Sequence, residues 1–215
     1  YHDSGTQNSE SVLHAETVHK ERLRVQKLQQ EMLLLNEQLM VQSQHDALTG
    51  LPNRAYLNNY AEETLSKALK NQVNFGIEIL DIDFFKSVND TYGHMEGDHY
   101  LTAVADLLSR ITEEYSNVFA ARYGGDEFVL VYYDKSVDEI KEIMNQLKLS
   151  TVSVKLPAIS QLGEDHVTLS QGCCNRIPEP LNRLWDYLAR ADTVLYDVKK
   201  KGKNNYKVSE RFKKA

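Results

Sequence analysis

The alternation of strand-like and helix-like segments after residue 45 constrains the fold of this chain more than any other feature. Strand-length segments rich in β-branched residues, such as 75–83, alternate with longer segments whose apolar residues recur at helical spacing, such as 181–201. Two strand patterns flank Gly124-Gly125-Asp126, which is typical of a hairpin turn. We predict helices over 55–70, 97–113, 136–148 and 181–201, and strands over 75–83, 118–123, 127–133, 166–173 and 205–208. This order predicts an α/β or α+β sandwich, with a mixed central sheet flanked by helices.

A long helix is predicted before this domain. Residues 10–45 contain neither Gly nor Pro and are rich in residues that favour helix. A heptad seam comprises Val18, Val25, Met32 and Leu39 at one position and Leu28 and Leu35 at the other. Such a seam predicts a parallel dimeric coiled coil, and the alternative is a helix packed on its own domain. Because Gly50 and Pro52 interrupt the pattern, we expect a stalk over 1–45 and a globular domain over 46–215.

Composition narrows the functional classes. The 215 residues carry a formal net charge of −6, which argues against a protein that coats nucleic acid. No apolar run approaches membrane-spanning length, and no secretory signal pattern is present. Cys173 and Cys174 are adjacent and have no metal-type spacing, so we expect strand packing and a reducing, cytoplasmic setting. Because the chain begins at Tyr1, we expect it to be a piece of a longer protein.

Two acidic clusters are candidates for chemistry. In Asp81-Ile82-Asp83 the carboxylates are two residues apart, so both can point to one side of a strand. Asp126-Glu127 lies at the tip of the predicted hairpin. Carboxylates gathered at strand ends are typical Mg²⁺ ligands, although Asp126 alone could simply serve the turn. Gly124 and Gly125 have no Cβ, so a phosphate or a flat base could lie against the hairpin.

Basic residues offer candidate phosphate contacts. The turn predicted over residues 84–90 could cradle phosphate through backbone N–H groups, with Lys86 adding charge. The alternative is a structural loop with a solvated lysine. Residues 199–215 hold eight Lys or Arg and one Glu, which could grip phosphate or form a solvated end.

The hairpin and its surroundings resemble a known family. Gly124 to Phe128, preceded by Arg122-Tyr123, resembles the signature of GGDEF-domain diguanylate cyclases. Further segments resemble family motifs in the same order, namely 46–54, 81–98, 170–172 and 191–204. The resemblance implies a fold similar to the polymerase palm and the nucleotidyl cyclases. It also implies that two GTP molecules condense into cyclic di-GMP and two pyrophosphates across a homodimer, in the cytoplasmic output part of a signalling protein with an upstream sensory domain.

The resemblance also implies roles for individual residues. The implied ligands of two Mg²⁺ or Mn²⁺ ions in each half-site are Asp81, the Ile82 carbonyl, Asp126 and Glu127. The implied catalytic residues are Asp126, Glu127 and Lys86. The implied substrate-binding residues are Phe84, Phe85, Asn89, His94, Asp98, Gly124, Gly125, Lys199 and Lys203. Among these, Asn89 and Asp98 would read the guanine edge, and the three lysines would contact phosphate.

Simpler alternatives remain open for several of these residues. Asn89 could cap a helix, His94 could hydrogen-bond within its loop, and Lys199 and Lys203 could be plain surface charge. At 203 the lysine replaces an arginine often found in the family, which keeps the charge but loses bidentate geometry.

This chain departs from the family pattern just before the signature. Many members carry Arg-x-x-Asp there, where the product binds and inhibits, whereas this chain has Ser116 and Phe119. We therefore expect no product inhibition through this site. Asp98 favours GTP over ATP. The alternative function is a catalytically inactive GTP-binding regulatory module, and the intact Asp81, Asp126 and Glu127 argue against it.

Overall fold

The computed structural model describes residues 18–34, 44–154 and 166–212. Its contacts divide the chain into two units, and the boundary along the sequence lies between residues 44 and 45. In the first unit, helix α1 covers residues 18–34. Its heptad residues are exposed in the single chain, from 52% at Val25 to 66% at Met32. Leu35 and Leu39 lie outside the described residues, and the coiled-coil dimer stays a prediction.

The second unit is built on a mixed five-stranded sheet. Its strands are β1 (Phe75–Ile82), β2 (Val118–Gly124), β3 (Glu127–Tyr133), β4 (Leu169–Arg176) and β5 (Tyr206–Ser209). They lie in the order β2-β3-β1-β4-β5, with β5 parallel to β4 and the other pairs antiparallel. The helices are α2 (Arg54–Asn71), α3 (Phe85–Tyr92), α4 (His94–Glu114), α5 (Val137–Ser150) and α6 (Leu184–Lys200). The prediction of a mixed sheet flanked by helices is confirmed.

Two apolar layers enclose the sheet. Helices α2 and α6 pack on one face through residues such as Leu57 and Tyr187. Helices α4 and α5 pack on the other through residues such as Leu108 and Ile143. All eight residues of β1 are buried because both layers cover this central strand. Cys173 and Cys174 are free and buried in β4, as expected of strand packing.

Helix α3 is the main difference from the sequence prediction. Residues 84–90 read as a turn, but Phe85–Tyr92 form a helix of two turns. Phe84 precedes it in a left-handed conformation, with φ of 62°. Helix α4 also begins at His94, three residues before the predicted start. The remaining predicted elements agree within a few residues. No helix in the described ranges is both long and apolar enough to span a membrane.

Candidate active site

Asp81 and Glu127 are paired across adjacent strands. Asp81 is the penultimate residue of β1 and Glu127 is the first of β3, and the two residues are directly opposite in the antiparallel ladder. Opposed residues project from the same face of a sheet, so both carboxylates lie on the side covered by α2 and α6. Ile82 N–H donates to the Asp126 carbonyl at 3.4 Å, which ties the end of β1 to the signature turn. The structure therefore brings together the two acidic clusters that were predicted separately.

Lys199 lies directly against this acidic pair. Its Nζ is 2.8 Å from Asp81 Oδ2. The position follows from close packing of α6 on β4 at Gly172, where a Cβ would lie 2.2 Å from the Leu195 backbone nitrogen. Lys199 follows Leu195 by one helical turn and so reaches the end of β1. A cleft of about 240 Å³ lined by Glu127 and Lys199 opens beside the pair.

The environment disfavours ionised carboxylates here. Burial raises the pKa of Asp81 to about 6, with the Lys199 ammonium opposing this shift and the Asp126 carboxylate adding to it. Burial and the Asp126 carboxylate likewise raise the pKa of Glu127. The Asp126 carboxylate contributes to both shifts, and a cation bound between these groups would stabilise their ionised forms.

Arg122 braces the signature turn. Its guanidinium donates to the Gly125 carbonyl at 2.9 Å and to Asp46 Oδ1 at 2.9 Å. Gly125 has φ of 56°, which favours glycine. No atom lies within 4 Å of where a Cβ on Gly124 or Gly125 would be, so the outer surface of the turn is open to a ligand. The predicted hairpin is confirmed, and Asp46 of the entry segment supports it.

Asp83 has a different role from the one its spacing suggested. It lies beyond β1, and its carboxylate accepts hydrogen bonds from the Thr168 and Ser170 hydroxyls at 3.0 and 2.7 Å. It also accepts from the Asn204 backbone N–H at 2.9 Å. These three bonds tie β1 to β4 and to the segment after α6. Asp83, a candidate for chemistry from its spacing, is thus engaged in structural bonds.

Helices α3 and α4 bring the expected base-reading residues together. Asn89 Oδ1 lies against Gly97, where a Cβ would be 2.0 Å away. In the described part of the chain this buried oxygen has no hydrogen-bond partner. His94 and Asp98 are exposed one turn apart in α4. The helix-cap alternative for Asn89 fails, because no side chain caps α4.

The expected phosphate contacts lie around the start of α3. Phe84 provides no side-chain cap, so the first-turn N–H groups of α3, rather than those of a turn, are offered to a ligand. Lys86 is exposed in that first turn. Lys203 Nζ lies 3.9 Å from the centroid of the Phe84 ring. Phe85 is half-buried against the apolar layer of α4, so it supports the helix start rather than lining an open surface.

Phe119, one of the two residues expected at the family's inhibitory position, belongs to an aromatic cluster. The Phe119 ring stacks on Tyr60 at 4.0 Å and meets Tyr56 edge-on at 5.7 Å. Ser116 is exposed. A phenyl ring engaged in this way offers no acceptor or charge to a guanine or a phosphate.

The carboxylate donors fit a divalent ion in chemistry, but they are not preassembled. Asp81, Asp126 and Glu127 supply the hard oxygen ligands that Mg²⁺ prefers. Within the ranges that the structure describes, however, no group of three His, Cys, Asp or Glu residues is arranged to hold a metal. The Lys199 ammonium already occupies an oxygen of Asp81. An ion could be held by Asp81 and the signature acids once that contact is released.

Sequence reasoning missed several residues that shape the site. Arg122 was recognised as part of a motif, but its bonds to Asp46 and Gly125 could not be read from spacing. Asp192 lines the cleft beside Glu127, and its carboxylate contributes to the raised pKa of that residue. Asp192 lies on the exposed side of α6, about two helical turns before Lys199. This spacing is the only sequence signal that could have placed Asp192 at the site.

Comparison with known proteins places this site in a family. A family model described as diguanylate cyclase, GGDEF domain, matches residues 43–205. Diguanylate cyclase DgcZ of Escherichia coli is 33% identical over 167 residues, which are 77% of this chain and 53% of DgcZ. Diguanylate cyclase A of Treponema denticola is 31% identical over 179 residues, which are 81% of this chain and 47% of that protein. The chain thus spans about half the length of these curated relatives.

Solved structures agree with this match. The coiled coil and GGDEF domain of DgcB from Caulobacter crescentus, in complex with c-di-GMP, has a TM-score of 0.72 and 28% identity, covering 93% of this chain and 98% of that one. Diguanylate cyclase SiaD from Pseudomonas aeruginosa, in complex with its activator SiaC, has a TM-score of 0.70 and 27% identity, covering 95% and 79%. The chain therefore belongs to the GGDEF family of diguanylate cyclases.

Proposed function

We propose that this chain converts two GTP molecules into cyclic di-GMP and two pyrophosphates. In each half of the reaction the 3′-hydroxyl oxygen of one GTP forms a bond to the α-phosphorus of the other. The bond from that phosphorus to the bridging oxygen of pyrophosphate breaks, and the hydroxyl proton is released. The family match and the acidic signature support this activity.

The observation that carries the proposal is the cross-strand pair of Asp81 and Glu127 beside an open glycine turn. This pair gathers carboxylates at one sheet end, with Lys199 adjacent and Lys86 and Lys203 on neighbouring segments. A polyphosphate needs both features, since carboxylates hold its divalent ions and cations neutralise its oxygens. We propose that Phe84 and the first turn of α3 donate backbone N–H groups to the phosphates.

We assign ion binding to Asp81, the Ile82 carbonyl, Asp126 and Glu127. Bound Mg²⁺ would lower the pKa of the attacking hydroxyl and neutralise charge that develops on the phosphorus. We propose that these four groups hold two ions in each half-site. The protein groups contribute orientation, because Asp126 and Glu127 lie on a turn braced by Arg122.

We assign recognition of the base to Asn89, Asp98 and His94. Guanine presents N1–H and N2–H₂ donors where adenine presents an acceptor and no amino group at the second carbon. An exposed carboxylate at 98 can accept both guanine donors. The unpartnered oxygen of Asn89 adds an acceptor beside it. The site therefore favours GTP over ATP.

We propose that two chains complete the site, one GTP to each domain. Among its described residues, the globular domain over 46–215 supplies a single acidic cluster of this type, and each half-reaction needs its own. The stalk over 1–45 would hold two domains at high effective concentration. Its exposed heptad residues support such a coiled coil, as does the coiled-coil neighbour. An upstream sensory domain and a cytoplasmic setting complete the proposal.

Product identification after incubation with GTP and Mg²⁺ tests the activity. We expect the parent to form cyclic di-GMP, identified by chromatography and mass, and to leave ATP unchanged. The double variant Asp126→Asn, Glu127→Gln keeps the shape of both side chains and removes their charge. We expect its rate to fall by about 10³-fold, as for loss of electrostatic stabilisation in other enzymes. A parent that binds GTP as a dimer but forms no product would indicate the regulatory module instead.

A further inference from the structure

The contact between Lys199 and Asp81 couples two parts of the proposed site that would otherwise act separately. We propose that the Lys199 ammonium is an internal counter-cation, which holds the Asp81 carboxylate until a divalent ion displaces it and which then turns to the nucleotide phosphates. The inference rests on the proposed function, because it assigns Asp81 to the ion and Lys199 to the phosphates. It adds that one lysine serves the two positions in turn.

Lys199 occupies one of the two oxygens through which Asp81 would hold a metal ion. Its Nζ lies 2.8 Å from Asp81 Oδ2, and the two side chains are 33% and 12% exposed. Magnesium binds carboxylate oxygens at about 2.0–2.1 Å in a near-octahedral shell. Two cations cannot share one carboxylate oxygen at these distances without strong repulsion. Ion binding at Oδ2 therefore requires the ammonium to leave that oxygen.

The fold fixes the start of the lysine side chain and leaves its end free to move. Gly172 lets α6 lie on β4, which sets the position of the last turn of α6. The Lys199 side chain then extends from this turn along four rotatable bonds. The cleft of about 240 Å³ beside it is lined by Glu127, Asp192 and Tyr196. The ammonium can thus leave Asp81 and stay within the site.

The charges explain why a counter-cation is needed. Asp81 lies within electrostatic range of Asp126 and Asp83, and Glu127 within range of Asp126 and Asp192. Without an ion, Lys199 offsets part of this repulsion. A metal-bound nucleotide brings its own cation for the carboxylates and its own anions for the lysine. The exchange therefore leaves both the Asp81 carboxylate and the Lys199 ammonium with a partner of opposite charge in each state.

The test measures binding of Mn²⁺ alone at pH 8 by electron paramagnetic resonance. Lys199→Met removes the competing ammonium, and we expect it to bind Mn²⁺ about fivefold more tightly than the parent, the value of a modest ion pair. Lys200→Met is the matched control, since Lys200 Nζ lies 4.6 Å from the Tyr196 ring centroid instead. We expect this control to bind like the parent. Asp81→Asn should lose the tight Mn²⁺ signal.

A second measurement examines the other half of the exchange. We expect Lys199→Met to bind a non-hydrolysable GTP analogue about tenfold more weakly than the parent, as expected for loss of one charged phosphate contact. Saturating Mg²⁺ without nucleotide should raise the melting temperature of this variant more than that of the parent. If Lys199→Met fails to fold, both measurements are made on Lys199→Gln instead.

The inference is overturned if Lys199→Met binds Mn²⁺ with unchanged or lower affinity, because the lysine then does not compete with the ion. Unchanged affinity for the nucleotide analogue overturns it equally. These readouts do not depend on turnover. A parent that forms no cyclic di-GMP, while its Lys199→Met variant still gains Mn²⁺ affinity, contradicts the proposed function but leaves this exchange standing.

Discussion

At the scale of single residues, Glu78 is a buried acid that the proposed chemistry does not use. It lies fully buried in β1 and points to the face opposite Asp81. Its Oε2 accepts the Tyr132 hydroxyl hydrogen at 2.5 Å, whereas Oε1 has no partner among the described residues. Burial raises the pKa of Glu78 to about 7, and the hydrogen bond from Tyr132 opposes this shift. The acid therefore destabilises the fold wherever it must ionise.

We predict that Glu78→Gln changes the pH dependence of stability. The folded-state pKa is raised, so the folded chain keeps a proton that the unfolded chain loses as the pH rises from about 4.5 to about 7. The free energy of unfolding of the parent therefore falls across this window, by about 3 kcal/mol for this group. Urea denaturation at pH 5 and pH 8 should show that the variant lacks this fall. The exposed Glu63→Gln should behave like the parent, and an identical pH profile for parent and Glu78→Gln would contradict the account.

Phe119 leads to a prediction about regulation. Its ring is stacked on Tyr60 in place of a residue that could bind product. We predict that micromolar cyclic di-GMP, added at the start of the assay, leaves the initial rate unchanged. The physical reason is that neither Ser116 nor Phe119 can make the paired hydrogen bonds that such a ligand needs. Strong inhibition that Phe119→Leu relieves would show that product binds here after all.

Single residues also show how much of the candidate site could be predicted from the sequence. The signature acids and the glycine turn follow from residue type and order, and the structure brings Asp81 and Glu127 together in register. The hydrogen bonds that the Asp83 carboxylate accepts could not be predicted, because the donors Thr168 and Asn204 come from distant segments. The same holds for the contact of Lys199 with Asp81. Spacing along a chain does not report which distant side chains meet.

At the scale of elements, the packing of α6 on β4 positions one side of the site. The Cβ of an alanine at Gly172 would meet the Leu195 nitrogen at 2.2 Å and the Ala191 carbonyl oxygen at 2.6 Å. Backbone atoms cannot rotate away as a side chain can, so the helix would have to shift. Lys199, one turn further along α6, would move with it.

We predict that Gly172→Ala lowers both stability and activity. The expected loss is about 1–3 kcal/mol in the free energy of unfolding, as for other overpacked sites. A shift of about 1 Å at the site is expected to lower the rate by about 10²-fold. Leu184→Ala is the control, because it removes a buried side chain from the first turn of α6 and costs about 2–5 kcal/mol without displacing the last turn. A folded Gly172→Ala with the rate of the parent would contradict the positioning role.

The elements also differ in how well their sequences predict them. Strand β1 and helix α6 are long and strongly patterned, so they are predicted within a few residues. Helix α3 has only eight residues and one buried side chain, Val88, which is too little for a periodic pattern. Its start also depends on the left-handed conformation of Phe84, which is uncommon for a bulky residue. The turn predicted there is a helix, and the phosphate-binding role of its residues stays a prediction.

At the scale of the whole molecule, the proposed reaction involves both the stalk unit and the globular unit. In the part of the chain that the structure describes, the globular unit provides one acidic cluster of the proposed kind, and the stalk helix exposes its heptad residues up to Met32. A lone amphipathic helix gains little stability in water, and pairing buries its seam. We therefore expect activity and association to be linked.

The dependence of the specific rate on protein concentration tests the central claim, that two chains each holding one GTP together form cyclic di-GMP. The rate of cyclic di-GMP formation from GTP and Mg²⁺ is divided by protein concentration and followed alongside the fraction of dimer measured by sedimentation. The account predicts a specific rate that rises with the dimer fraction and levels off when all chains are paired. Absence of cyclic di-GMP from fully paired chains, or an unchanged specific rate where the chains are monomeric, would contradict it.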